Sequence, residues 1–401
     1  MRPDEVRISV ALMTHASRTG LAARLRDRLK DMDVRIVVDD GKPVGPAGSL
    51  RSARLAWAEV DSAATHHLVV QDDIAVPESF ADELRHRIAA RPDLPMCLFA
   101  EWGAWSAAGA RLAALTGAGF AEVVDTYVPT QAVVLPADLA RAADERLSAG
   151  LDRGEQDDVA LLAYLREIGA VAHVCVPNLV EHRDVPSLAG NQDHGLRRSV
   201  CFLPNQPVSP AELSRAVTGI NCLPYLSWWD GFAVFHYRYS ADQWGWRRVL
   251  ATTVLSRLGL PRDTLVAAFH DTLPASPAAS LVGRVSEVLL FHVWLGALSL
   301  GLSAAELVAG GASATPTGSR LTLDTPTARQ ALATLPAGAL RRFVPVAQLD
   351  TIGRLLEPIL DRAVRFGAAW AASAPTRTAD LDVADTAAGS MGPRWVTVSQ
   401  Y

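Results

Sequence analysis

The run His67-Leu68-Val69-Val70-Gln71-Asp72-Asp73-Ile74 reads as a buried strand that stops on two carboxylates. Short apolar runs rich in β-branched residues and closed by polar ones form strands covered on both faces. Outward from it, residues 6–13 read as a strand, 20–32 as a helix with Leu21, Leu25 and Leu29 on one face, and 34–38 as a second strand. Residues 49–60 and 79–90 read as helices and 96–100 as a further strand. Strands that alternate with amphipathic helices pair mainly in parallel and carry helices on both faces of the sheet. The expected fold class is therefore α/β: a Rossmann-like domain with a mainly parallel sheet, then a mostly α-helical C-terminal domain.

Such sheets bind ligands outside the carboxyl ends of their strands. Three consecutive strands end there on polar residues: His15-Ala16-Ser17-Arg18, Asp39-Asp40-Gly41 and Gln71-Asp72-Asp73. Any one of these could be a solvated loop or a helix cap. Three converging on one sheet edge point to a site. Carboxylates there offer hard oxygen ligands that suit Mg²⁺ or Mn²⁺, and Mg²⁺ is usually held by one or two carboxylates plus substrate phosphates.

Composition bounds the rest. A chain of 401 residues exceeds one ordinary core, so two domains are expected. The net charge of −5 excludes the basic stripe of a nucleic-acid binder. Cys97, Cys175, Cys201 and Cys222 form no CxxC pair, which argues against a zinc cluster and for reduced thiols in a cytoplasmic protein. The N-terminus carries acids where a signal peptide needs a basic and then an apolar run. The most apolar stretch, 288–302, is interrupted by His292 and falls short of the ~20 residues of a membrane span, so it reads as a buried helix.

The expected boundaries are an α/β domain over 1–205, an aromatic-rich junction over 206–240, a helical domain over 241–374 and a loosely ordered tail over 375–401. Helices are expected at 244–258, 262–273, 279–301, 303–308, 326–335, 339–343 and 348–374, punctuated by prolines.

The segment around Gln71-Asp72-Asp73-Ile74, with Pro77 and Phe80 after it, resembles the DxD region of GT-A glycosyltransferases, in the form found in families 2 and 25. It departs at Gln71, where the family has an acid. The resemblance implies a nucleotide-sugar donor, foremost a UDP-sugar, with Asp73 as metal ligand and Asp72 against the ribose or sugar. Ile36-Val37-Val38-Asp39-Asp40-Gly41 is similar to the "VVDDGS" turn, which makes Asp39 and Asp40 candidate nucleobase or ribose contacts. Arg18, after the first strand, belongs to the same donor side. Ser49-Leu50-Arg51-Ser52-Ala53-Arg54 resembles the helix start whose arginine approaches the diphosphate, and Arg54 is the candidate taken from it. Thr130-Gln131-Ala132-Val133-Val134 resembles a donor-site strand, which adds Gln131.

Gly154-Glu155-Gln156-Asp157-Asp158-Val159-Ala160-Leu161 resembles the "ED-x-x-L" motif of inverting family 2 enzymes. Its aspartate takes the acceptor proton, so Asp158, with Asp157 beside it, is the candidate base. Another register places Glu155 and Gln156 there, and an acid pair at a helix N-terminus is also an ordinary dipole partner. Pro177-Asn178-Leu179-Val180-Glu181-His182, followed by Ser187 and Gly190, resembles the end of the catalytic domain, where His182 would join the metal site. The expectation is a divalent-metal-dependent, inverting glycosyltransferase with an unidentified acceptor, no nucleic-acid partner and no membrane span, and with homodimerisation open. Two rivals stand beside it. A non-catalytic interaction protein with a decayed GT-A domain is one. A sugar-nucleotide nucleotidyltransferase is the other, and it would carry a Gly-rich loop where residues 13–20 have none.

Overall fold

The computed structural model describes residues 1–39, 41, 46–151, 154–186, 188, 194–238, 245–310, 321–374 and 376–381. Asp40, Lys42, Ser187, Gly190, Tyr239 and Trp244 therefore lie outside the described residues.

Strands β1 (Ile8–His15), β2 (Val34–Asp39) and β3 (His66–Gln71) are parallel, with β1 between the other two. The short strand β4 (Ile74–Ala75) follows β3. Next come β5 (Met96–Cys97), β6 (Phe120–Glu122), β7 (Ala132–Pro136), β8 (His173–Cys175), β9 (Glu181–His182) and β10 (Ala216–Val217). One eight-stranded sheet runs β10-β6-β8-β5-β7-β3-β1-β2, while β9 pairs with β4 apart from it. Strands β1, β2, β3, β5 and β8 share one direction, and β6, β7 and β10 run against them. The sheet is thus mixed, though most of its strands are parallel.

Helices α1 (Thr19–Arg28) and α3 (Phe80–Ala90) cover one face. Helices α2 (Pro46–Trp57), α4 (Trp105–Thr116), α5 (Ala137–Leu151) and α6 (Asp157–Glu167) cover the other. The period-2 alternation of strands makes this possible: Val10, Leu12, Leu68 and Val70 pack with Leu25 and Leu84, while Ala11 and Val69 pack with Leu50 and Trp57.

After α7 (Pro210–Leu213), strands β11 (Cys222–Leu226), β12 (Ala233–Arg238) and β13 (Trp246–Leu250) form an antiparallel sheet. Helices α8 (Ala251–Arg257), α9 (Arg262–Thr272), α10 (Glu287–Gly310), α11 (Pro326–Leu340) and α12 (Val346–Ala371) complete the chain. Helix α10 is long and apolar enough to cross a membrane, yet its most apolar window is 83% buried inside the protein. It is the core helix of this half, and α12 lies along it with Leu349, Ile352, Leu356, Ile359 and Ala363 inward at helical spacing.

Several expectations need correction. The sheet continues past residue 205, because β10 pairs with β6. The junction carries a β-sheet, and the helix expected from 244 starts only at Ala251; Trp246–Leu250 is an edge strand on β12. A five-residue run with Arg247 and Arg248 at its centre fits either period, and pairing with β12 decided the outcome. Residues 303–308 are the end of α10, and 339–340 the end of α11, which runs through Pro336. Of the tail expected to be loose from 375, the described residues 376–381 dock at Thr378: its backbone N–H donates to Glu306 Oε1 at 2.8 Å, and its carbonyl accepts the Tyr237 hydroxyl at 3.2 Å. All four cysteines are free thiols, three of them buried.

The two halves pack on each other. Arg111 of α4, fully buried, donates to the Ala331 carbonyl at 2.9 Å and to Thr334 Oγ1 at 3.2 Å on α11.

Candidate functional site

The carboxyl ends of β1, β2 and β3 open onto a cavity of about 580 Å³. Registry brings them level, with His15 opposite Asp39 and Met13 opposite Gln71. Strand β7 runs the other way beside β3, so its beginning lies at the same edge; the Gln71 N–H donates to the Gln131 carbonyl at 2.9 Å. This reversal is what places Gln131 on the cavity wall.

Asp72 and Asp73 leave β3 into the cavity and are 5% and 7% exposed. Thr14 donates its hydroxyl to Asp72 Oδ2, and Arg18 lies 3.5 Å from a carboxylate oxygen of each acid. Burial raises the pKa of both, against the Arg18 charge and, for Asp72, the stronger Thr14 hydrogen bond. The β4–β9 pair sets Ile74 opposite His182, and the Arg183 N–H donates to the Asp73 carbonyl at 2.7 Å. His182 Nε2 consequently stands 3.7 Å from Asp73 Oδ2. Burial, with the Arg197 charge second, lowers the His182 pKa to about 4, so its ring is neutral near pH 7.

Two buried atoms here have no partner, Asp73 Oδ1 and His182 Nδ1. No group of three or more His, Cys, Asp or Glu able to hold an ion is present among the described residues. The Asp73–His182 pair could nevertheless give a divalent cation one free carboxylate oxygen and one neutral imidazole nitrogen, the other ligands coming from a diphosphate.

Asp39 ends β2 with both oxygens engaged. Arg51 Nε lies 3.0 Å from each, Ser52 Oγ donates at 2.7 Å and the Gly41 N–H at 2.8 Å. Burial would raise its pKa, but these donors outweigh it and lower it. Asp39 thus fixes Arg51 at the cavity wall. Arg54, by contrast, is absent from the lining; its Nε donates to the Asp144 carbonyl and carboxylate at 3.1 and 3.0 Å. The arginine of this helix that reaches the cavity is Arg51, one turn earlier.

Asp157 and Asp158 open α6 on another wall of the same cavity. The Asp157 N–H donates to Ser49 Oγ at 3.3 Å, tying α6 to α2, and its Oδ2 is buried without a partner. Burial first, and then the Asp157 charge, raise the Asp158 pKa to about 7. A carboxylate with that pKa is a competent general base at neutral pH.

Residues outside the sequence expectations close the remainder. Asp125, just past β6, is 4% exposed and accepts the N–H groups of Trp105 at 2.8 Å and Ser106 at 3.0 Å. Burial raises its pKa to about 6. Glu101 is ion-paired with Arg341 from the end of α11, and the Arg341 guanidinium lies 4.1 Å from the Trp228 ring. Tyr225 donates its hydroxyl to the Gly103 carbonyl at 2.7 Å. Arg197 also lines the cavity. Asp125 had a sequence signal, the apolar Val123-Val124 run before it, like the strand ends already noted. Arg197 and Arg341 had none. No protein-family model matches this chain, and no curated protein sequence matches it significantly.

Proposed function

We propose that this chain is a GT-A glycosyltransferase that moves a sugar from a nucleoside diphosphate donor, foremost a UDP-sugar, to an acceptor hydroxyl with inversion. The observation that carries the reading is the meeting, in one cavity at the carboxyl ends of β1–β3, of the Asp72/Asp73/His182 group, the Asp39–Arg51 pair and the Asp157/Asp158 pair. The first two are suited to a diphosphate and its nucleoside, and the third to a proton.

Arg18, Arg51 and Arg197 supply positive charge toward the diphosphate, and Gln131 offers amide contacts to the donor. Asp73 and His182 would hold Mn²⁺ or Mg²⁺, which when bound neutralises charge on the leaving diphosphate. Asp158 takes the proton of the acceptor hydroxyl as the oxygen bonds to the anomeric carbon. The bond from that carbon to the diphosphate oxygen breaks on the opposite face, and the nucleoside diphosphate leaves with the electron pair.

A second reading is favoured by Arg18, which already sits between Asp72 and Asp73. In it the arginines alone neutralise the diphosphate and the reaction runs without a cation. Calorimetric titration of UDP separates the two. The first requires that UDP binding depend on Mn²⁺ and be lost in EDTA and in Asp73→Ala. Equal affinity with and without EDTA favours the second. No binding of UDP, GDP, dTDP or CDP under either condition, together with no hydrolysis or transfer of their sugars, sinks both.

A further inference from the structure

Among the described residues, every acid on the donor side of the cavity has a cation beside it: Asp39 has Arg51, Asp72 and Asp73 have Arg18, and Glu101 beyond them has Arg341. The far side differs. Asp125, Asp157 and Asp158 line the same cavity, and none of them is in a salt bridge among the described residues. Asp125 accepts the first two N–H groups of α4, one on each oxygen, and the Ser106 hydroxyl besides, which still leaves its carboxylate an acceptor position. Asp157 is 7% exposed, and its Oδ2 is buried with nothing to accept from.

Asp125 and Asp158 lie close enough to act on a common neighbour, and Asp157 adjoins Asp158 at the start of α6. The charges of Asp125, Glu101 and Asp158 all bear on the Tyr127 hydroxyl, and Asp157 bears on Asp158. The Val128 N–H donates to the Asp158 carbonyl at 3.1 Å, so the Tyr127 segment and the start of α6 are joined directly. Trp105 and Tyr127 bring aromatic rings to this end of the cavity. Asp125 and Asp157 are held out of water without a cation, so a cation brought in from outside would stabilise their charged forms, and aromatic rings favour a cation beside them.

We propose that the acceptor is an ammonium-bearing polyol, such as an amino sugar or aminocyclitol, whose ammonium group is held by Asp125 and Asp157 beside Trp105 and Tyr127 while a neighbouring hydroxyl meets Asp158. The assignment of that hydroxyl rests on the transfer reaction proposed above. The cation site itself does not.

Ligand-observed NMR and calorimetry on the full chain, with UDP and Mn²⁺ present, test this with glucosamine, 2-deoxystreptamine and N-acetylglucosamine. Both amines are expected to bind at least about tenfold more tightly than the neutral amide, the usual effect of one hydrogen bond to a charged group. Asp125→Asn and Asp157→Asn should each bring glucosamine down to the level of N-acetylglucosamine while UDP affinity is retained. Should those variants fail to fold, raising ionic strength from about 0.05 to about 0.5 M on the unaltered protein should weaken glucosamine and leave the amide unchanged. Equal binding of glucosamine and its amide, no binding of either amine, or an amine preference that survives in both folded variants or is indifferent to salt overturns the proposal. An amine preference in a protein that binds no nucleoside diphosphate would instead remove the transfer reading and leave the cation site standing.

Discussion

Replacing Asp158 by Asn should damage activity and improve stability, and the two effects have one physical origin. An aspartate in the unfolded chain titrates near 3.9. In the folded protein burial and the neighbouring Asp157 charge hold Asp158 near 7. The native state therefore keeps the proton that the unfolded state loses. Stability from this group is fully present below pH ~4 and is lost as pH rises to about 7, at ~1.4 kcal/mol per unit. The full interval of about three units would amount to ~4 kcal/mol; partial solvent exposure of Asp158 reduces this to about 1–2 kcal/mol. Asn keeps the shape and carries no charge, so Asp158→Asn should melt about 2 °C or more above the wild type at pH 8 and match it near pH 4. Transfer should fall about 10²–10⁴-fold, and the rise in wild-type rate through pH 7 should disappear from the residual activity. Differential scanning calorimetry at several pH values and a pH–rate profile give both results. A variant less stable at pH 8 than the wild type, or one as active as the wild type, would refute the reasoning.

Further substitutions probe the frame of the site and the core of the helical half. Arg51→Ala should weaken nucleoside diphosphate binding and lower the melting temperature by freeing buried Asp39, whereas Arg54→Ala should leave calorimetric affinity within about twofold. Arg341→Met strands Glu101 in a half-closed wall and should cost about 3–5 kcal/mol in denaturant unfolding, with much of it recovered in the Glu101→Gln/Arg341→Met double variant, where no charge remains unpaired. A Cβ at Gly301 would collide with the Val364 carbonyl and one at Gly367 with the Leu298 carbonyl, so Gly301→Ala or Gly367→Ala should each cost at least ~3 kcal/mol or abolish expression of folded protein.

What the sequence made legible was local. Runs such as residues 6–13 and 67–70 show their burial in their composition, and polar residues follow directly where they end. Asp39, Asp72 and Asp73 were therefore readable as strand ends, Asp157 and Asp158 through the motif they resemble, and all five line one cavity. What could not be read was partnership. Nothing within Ser49–Trp57 distinguishes Arg51 from Arg54, because they lie three residues apart and on neighbouring helix faces. Asp39 on one strand and Asp144 on another helix decide which arginine meets the cavity. The direction of β7 is equally invisible in Ala132–Pro136, yet it carries Gln131 to the edge where β3 ends.

Arg341 is the clearest case of this limit. It lies 240 residues from Glu101, at the end of a helix whose other residues read only as core. Once α11 is seated by Arg111 on its Ala331 and Thr334, its last turn is delivered to the cavity rim. There Arg341 pairs with Glu101 and stacks on Trp228, which the turn between β11 and β12 holds in place through the Gly231 N–H bond to Ser227 at 2.8 Å. The helical half is thus a wall of the cavity as well as a core of its own. Glu101, the acid this wall pairs, acts in turn on Asp125, whereas Asp39, Asp72 and Asp73 are built into the sheet edge itself. The acids proposed for the donor thus come from short contiguous segments, whereas Arg341 reaches the same cavity only because folding packs α11 on α4.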